Sequence, residues 1–258
     1  MRIILLLTIL LCPSSLFALF GENTNLSGCI FYYKMESGTS TFTDSSGNGF
    51  DGTGEGITIE NVDSPAKFGK AIQFSPAAAA GTCLINGGKG GIKDNLTTIT
   101  IMAWIRVHTF VTSGGGNRRM VDKGPGIKDW YFTSAGNSTW MHAFSGTDGI
   151  WRSPLNLSAN TWYCEAITYD GSSTANKPIW YNNGNSEGTS STTSTPTGTI
   201  DADDANDWII LNALSGGVGV RAFDGECDEF MIFNRVLTPK EIKEYYDRTK
   251  QKYNTQVN

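Results

Sequence analysis

Residues 98–107 read TITIMAWIRV. Ile99, Ile101, Ala103, Ile105 and Val107 occupy alternate positions, so an extended chain places all five on one face. Working outward, similar short runs rich in Ile, Val, Thr, Tyr, Phe and Trp fall at 29–35, 71–74, 129–133, 140–144, 161–169, 179–182, 207–211 and 226–233. Clusters of Gly, Asn, Asp and Ser separate them, as strand punctuation requires. Asn182-Asn183-Gly184 supplies residues that tolerate positive φ and predicts a turn after the run at 179–182. The Ser/Thr-rich stretch 186–199 reads as a loop. A helix is expected only at the end of the chain. Thr238 caps it, Pro239 takes its first position, Glu241 completes a capping box, and Ile242, Tyr245 and Tyr246 form its apolar face. Many short strands, glycine-rich turns and one late helix predict an all-β, two-sheet antiparallel sandwich.

The chain has 258 residues, 39% hydrophobic and 11% aromatic, with a net charge of −5. That composition excludes a disordered chain. Its acidic balance argues against nucleic acid as a partner, since phosphate binding needs a basic face. Arg2, the apolar run 3–12, Pro13-Ser14-Ser15 and Ala18 have the pattern of a secretory signal peptide at 1–18. A single domain at 19–258 is then expected, secreted and extracellular. No stretch in that mature chain is long enough to span a membrane as a helix. Removing 1–18 leaves four cysteines, Cys29, Cys83, Cys164 and Cys227. An even number in an oxidising compartment predicts two disulfides with three possible connectivities. Sequons begin at Asn25, Asn95, Asn137 and Asn156, and carry glycans only in a eukaryotic secretory route.

Five segments, in order, resemble the laminin G-like, concanavalin A-like lectin/glucanase jelly rolls. They are DSSGNGFDGT (44–53), ITIMAWIRV (99–107), TWYCEAITYDG (161–171), IWYNNG (179–184) and FDGECDEFMIFNRVLTPKEI (223–242). Cys164 departs from the histidine often found there, and the alanines at 77–80 match nothing in the pattern. The resemblance implies a jelly roll in which the first and last strands are neighbours. It thereby implies Cys29 bonded to Cys227 and Cys83 to Cys164.

Candidate chemistry divides into three kinds. Laminarinase-like relatives draw paired carboxylates from E-x-D-x-x-E. Here Glu226 and Asp228 are followed by Met231, which can neither donate nor accept the proton. Glu229 falls on the other strand face. There is no G-x-S-x-G elbow, and His108 and His142 are a thin supply of bases. A catalytic site is therefore not expected. Calcium takes six to eight oxygens, and Asp44 and Asn48 in DSSGNG could present several. Asp228 and Glu229 would approach them if the terminal strands pair as the resemblance implies. The competing reading is that Asp44 and Asn48 only brace their own turn. The acidic stretch 201–207 lacks the EF-hand glycine and distal glutamate, and reads as a solvated loop. For sugars, Trp151 in GTDGIWRSP is the candidate stacking plane, with Asp148 and Arg152 beside it, against the plain alternative that it packs in the core. The resulting expectation is a secreted, non-catalytic binding or adhesion module for glycans or a surface protein. A structural or assembly subunit, and a glycan-active enzyme with an unrecognised site, are the alternatives.

Overall fold

The computed structural model describes residues 26–36, 40–55, 59–63, 70–74, 84–110, 117–124, 127–189, 191–213 and 221–250. The expected leader at 1–18, the alanines at 77–80 and Cys83 lie outside the described residues. The strands run β1 (Cys29–Tyr33), β2 (Thr41–Phe42), β3 (Gly52–Glu55), β4 (Ile59–Asp63), β5 (Lys70–Phe74) and β6 (Leu84–Gly88). They continue with β7 (Thr98–Val107), β8 (Arg118–Lys123), β9 (Lys128–Phe132), β10 (Asn137–His142), β11 (Gly149–Asn156) and β12 (Trp162–Asp170). Last come β13 (Ile179–Asn182), β14 (Asn185–Thr189), β15 (Ser191–Ser194), β16 (Trp208–Ile210), β17 (Gly225–Phe233) and the helix α1 (Pro239–Thr249).

Two antiparallel sheets stack face to face. One has the order β14-β13-β12-β7-β17-β5-β4, with β1 also on β17; the other runs β15-β11-β10-β9-β8-β16-β6-β3-β2. This is the two-sheet sandwich with a C-terminal helix that the sequence predicts. Ile99, Ile101, Ala103, Ile105 and Val107 all enter the core between the sheets. Met102 and Trp104, on the opposite face of β7, join a second apolar layer with Ile242 and Tyr245 of α1. The helix is capped as expected, Thr238 accepting from the Glu241 N–H while the Glu241 carboxylate accepts from the Thr238 N–H. Asn183 (φ 48) and Gly184 (φ 76) turn β13 into β14, positive φ at both positions being what such a hairpin needs. The stretch 186–199, expected as a loop, instead carries most of β14 and all of β15. Threonine's branched side chain suits an edge strand even without apolar alternation.

The terminal strands are neighbours, but the cysteine pairing does not follow. Cys29 lies opposite Phe233, while Cys227 lies opposite Ile72 and Ile105. The partners are thus six residues apart along β17, roughly 20 Å, against a disulfide limit near 7 Å between Cα atoms. They also point apart, Cys227 into the core between the sheets and Cys29 into the layer beneath the helix. Cys29, Cys164 and Cys227 are buried free thiols. Burial pushes the Cys29 thiol up to about 12, with the Asp44 charge adding to the shift.

Candidate functional site

The expected sugar-binding trio separates. Trp151 sits on β11, a strand where the sequence suggested a turn, and is 1% exposed. It lies opposite Trp140 and packs against Tyr169, with ring centroids 5.2 Å apart. Trp151 is therefore a core residue and cannot stack on a ligand. Asp148 braces its loop, Oδ1 accepting from the Phe144 N–H at 3.1 Å. Arg152, next along β11, points outward and is exposed.

The expected calcium oxygens are committed elsewhere. Asp44 Oδ1 accepts from the N–H groups of Tyr32 (3.0 Å) and Ser46 (2.8 Å). Its Oδ2 accepts from the Phe50 N–H (3.0 Å) and the Ser46 hydroxyl (2.7 Å). Those donors fill the lone-pair directions a carboxylate offers. Asn48 Nδ2 donates to the carbonyls of Cys29 (2.8 Å) and Ile30 (3.1 Å). Tyr32 links this loop to the last strand, its phenol donating to Glu229 Oε2. Glu229 (φ 53) occupies a bulge in β17, where β5 gives way to β1 as the neighbouring strand, and its N–H donates to Asp228 Oδ1 at 2.8 Å. Among the described residues no three His, Cys, Asp or Glu side chains gather as a metal set. This arrangement ties the loop to β1 and does not fit a calcium ion.

The broken E-x-D-x-x-E run is equally committed. Glu226 accepts from Arg106 Nε at 2.7 Å and pairs again with Nη2. His108 Nε2 stands 3.0 Å from Oε2, the same oxygen that accepts from Arg106 Nε. Met231 is buried beneath the helix layer. The 201–207 stretch is not simply solvated either. Asp203 is fully buried, ion-paired to Lys128 and 3.5 Å from Lys123 Nζ. Burial lowers the Lys128 ammonium from its ordinary value, with Asp203 opposing.

The arrangement with the clearest recognition chemistry lies on the outer face of the nine-stranded sheet. Strand registers bring Arg152 beside Thr139, Thr139 beside Tyr131, and Tyr131 beside Arg119. An adjacent row holds Ile150, Met141, Asp129 and Asp122. The Arg119 guanidinium lies 4.2 Å from the Tyr131 ring centroid and 2.7 Å, through Nε, from Asp129 Oδ1. Burial lifts the Asp129 carboxyl to about 7, against the opposing pull of Arg119. Arg119 Nη1 and Thr139 Oγ1 are buried without a hydrogen-bond partner. Toward β11 the face opens: Tyr131, Met141 and Ile150 are half-buried and Arg152 exposed. Arg152 is the one expected residue on this face. The others were missed because β8 and β9 (RRMVDK and KDWYF) carry charges on both faces and so show no clean alternation.

The family model for the concanavalin A-like lectin/glucanases superfamily matches residues 86–243. No curated protein sequence matches the chain. Among solved structures, the binding domain of Paraclostridial Mosquitocidal Protein 1 superposes with a TM-score of 0.64 at 18% identity, over 86% of this chain and 52% of that one. Domain 4 of AbnA, a GH43 extracellular arabinanase from Geobacillus stearothermophilus, gives 0.59 at 19% identity over 84% of this chain and 97% of that one. The Botulinum Neurotoxin Type G receptor binding domain gives 0.57 at 15%, over 85% and 51%. The chain spans about half the length of the two toxin domains. At these identities the likeness is one of fold.

Proposed function

The chain belongs to the concanavalin A-like lectin/glucanase superfamily, and from that premise we propose that it is a secreted, non-catalytic module that binds glycans on the outer face of its nine-stranded sheet. The observation that carries this reading is the row Arg119–Tyr131–Thr139–Arg152, whose accessible members are the half-buried Tyr131 ring, backed by the Arg119 guanidinium, and the exposed Arg152. Sugar recognition needs that combination: an apolar plane for the ring carbons and convergent donors and acceptors for the hydroxyls. The domain 4 structure of AbnA is described in complex with arabinotriose, and that of a neurotoxin DC binding domain in complex with SialylT, which supports a glycan in preference to a small metabolite. The locked Glu226 and the buried Met231 support a non-catalytic role.

A glycan array probed with the mature chain, from residue 19 onward, tests the reading. Specific binding that weakens at least tenfold in Tyr131→Ala supports it. Silence across the array, or binding indifferent to that substitution, overturns it. Silence would shift the assignment to a protein partner, such as the synaptotagmin II described with one neurotoxin binding domain.

A further inference from the structure

Lys123 of β8 and Lys128 of β9 lie opposite each other, and both side chains reach Asp203. All three side chains are fully buried. The two oxygens of Asp203 have different surroundings. Oδ1 accepts from the Asn95 N–H at 2.7 Å and lies 3.5 Å from Lys123 Nζ. Oδ2 is in contact with Lys128 Nζ. The Asp203 N–H donates in turn to Asn95 Oδ1 at 2.9 Å, which holds the segment in place. Lys123 is anchored separately, donating to Asp94 Oδ1 at 2.6 Å and to the Lys93 carbonyl at 3.0 Å. Among the described residues, Lys128 Nζ meets no acceptor but Asp203. Burial lowers the Lys128 ammonium, which favours passing its proton to the carboxylate. A desolvated amine against a carboxyl, with donors aimed at the oxygen that does not leave, is the arrangement acyl transfer requires.

From this geometry we infer that Lys128 and Asp203 join through an intramolecular amide bond that the folded chain forms by itself. The step balances within the pair. One Lys128 proton passes to Asp203 Oδ2, leaving a neutral amine and a carboxylic acid. Nζ then attacks Cγ, and the charge developing on Oδ1 is met by the Asn95 N–H and the Lys123 ammonium. The Cγ–Oδ2 bond breaks, Oδ2 leaves as water with a second hydrogen from Nζ, and the amide remains. No oxidant or cofactor is consumed. The bond joins residues 75 positions apart and ties β9 to the segment before β16. It restricts the unfolded chain as a disulfide would, in a chain whose described cysteines are free thiols.

Intact-mass spectrometry of the mature chain, from residue 19 onward, under denaturing and reducing conditions tests this. The mass should fall below the sequence value by one water, about 18 Da. Protease digestion should yield a branched peptide that joins the β9 segment to the 201–207 segment through Lys128 and Asp203. Lys128→Gln and Asp203→Ala should each carry the full mass of their own sequences. A wild-type mass equal to the sequence value overturns the proposal, whether or not either variant folds. Loss of water without the branched peptide, as from a cyclised aspartate, overturns it too. A branch through Lys123, or a variant that still loses water, overturns the assignment of the reacting residues.

Discussion

The outer face of the eight-stranded sheet carries Met102, Trp104, Cys164, Ala166, Met231 and Phe233, closed over by Ile242 and Tyr245 of α1. The outer face of the nine-stranded sheet carries Arg119, Asp122, Asp129, Tyr131, Thr139 and Arg152 across four adjacent strands. A strand must present alternate side chains to both faces, so each sheet had an outer surface to dispose of. One was made apolar and covered by a helix. The other kept its charges, buried on β8 and β9, and opens to water only toward β11. The contrast teaches where to look for function in this sandwich: the aromatic-rich parts of the chain build its interior, and the proposed recognition face is the one whose sequence looks least orderly.

Tyr245 offers the largest test of that contrast. Tyr245→Ala should cost about 3–5 kcal/mol, as expected for removing a buried aromatic. Tyr131→Ala should cost less than about 1 kcal/mol, since it empties no closed layer. Urea unfolding of the two variants measures both, and similar losses would break the distinction between a covered and an open face.

Acid–base behaviour sharpens it next. Glu165 is buried, its carboxyl pushed by burial up to about 8, with the Asn182 Nδ2 donor at 2.6 Å opposing the shift. A carboxyl whose folded pKa lies above its unfolded value of 4.5 lends stability that is complete at low pH. That stability is lost as pH rises toward about 8. Asp129, raised from 3.8 to about 7, acts in the same direction. The melting temperature should therefore fall between pH 4.5 and 8. Glu165→Gln should remove the Glu165 share of that fall and leave the share of Asp129, which is buried on the other sheet. A profile unchanged by the substitution would show that Glu165 does not titrate in this range.

Replacing Arg119 with Met and Asp129 with Leu together addresses the charged face itself. Buried ion pairs often contribute little net stability, so the double variant should be neutral or more stable by about 1–4 kcal/mol. It should nonetheless lose glycan binding. A gain in stability with loss of binding would mark the pair as kept for recognition, whereas a large destabilisation would mark it as structural. The smallest expected effect concerns the first loop. Because Asp44 is saturated by N–H and hydroxyl donors, excess chelator should leave the melting temperature unchanged, and a drop on chelation would show that a cation stabilises the fold.

Much of the architecture was legible locally. TITIMAWIRV declares its two faces within ten residues, and T-P-K-E declares the start of α1 before any tertiary contact exists. GIW follows turn residues, which made Trp151 the candidate sugar plane, but β11 begins at Gly149 and buries the indole against Tyr169, as the core-packing alternative requires. Cys29 and Cys227 lie on neighbouring strands, but neighbouring strands alone do not bring two residues together; the register sets them roughly 20 Å apart. The acidic 201–207 stretch looked solvated because Lys123 and Lys128, which neutralise Asp203, are distant in the chain.

By itself the sequence determined the patterned strands such as β7, with its buried face, and the capped helix, because those depend on a period of two residues or on contacts within one turn. Only the tertiary structure decided that Arg119, Tyr131, Thr139 and Arg152 form one row. They come from four strands, and whether they meet depends on registers set by turns and by the bulge between Arg119 and Val121. Displacing one of these strands by a single residue would send its side chains to the opposite face, and no local pattern in RRMVDK or KDWYF records which alternative is taken.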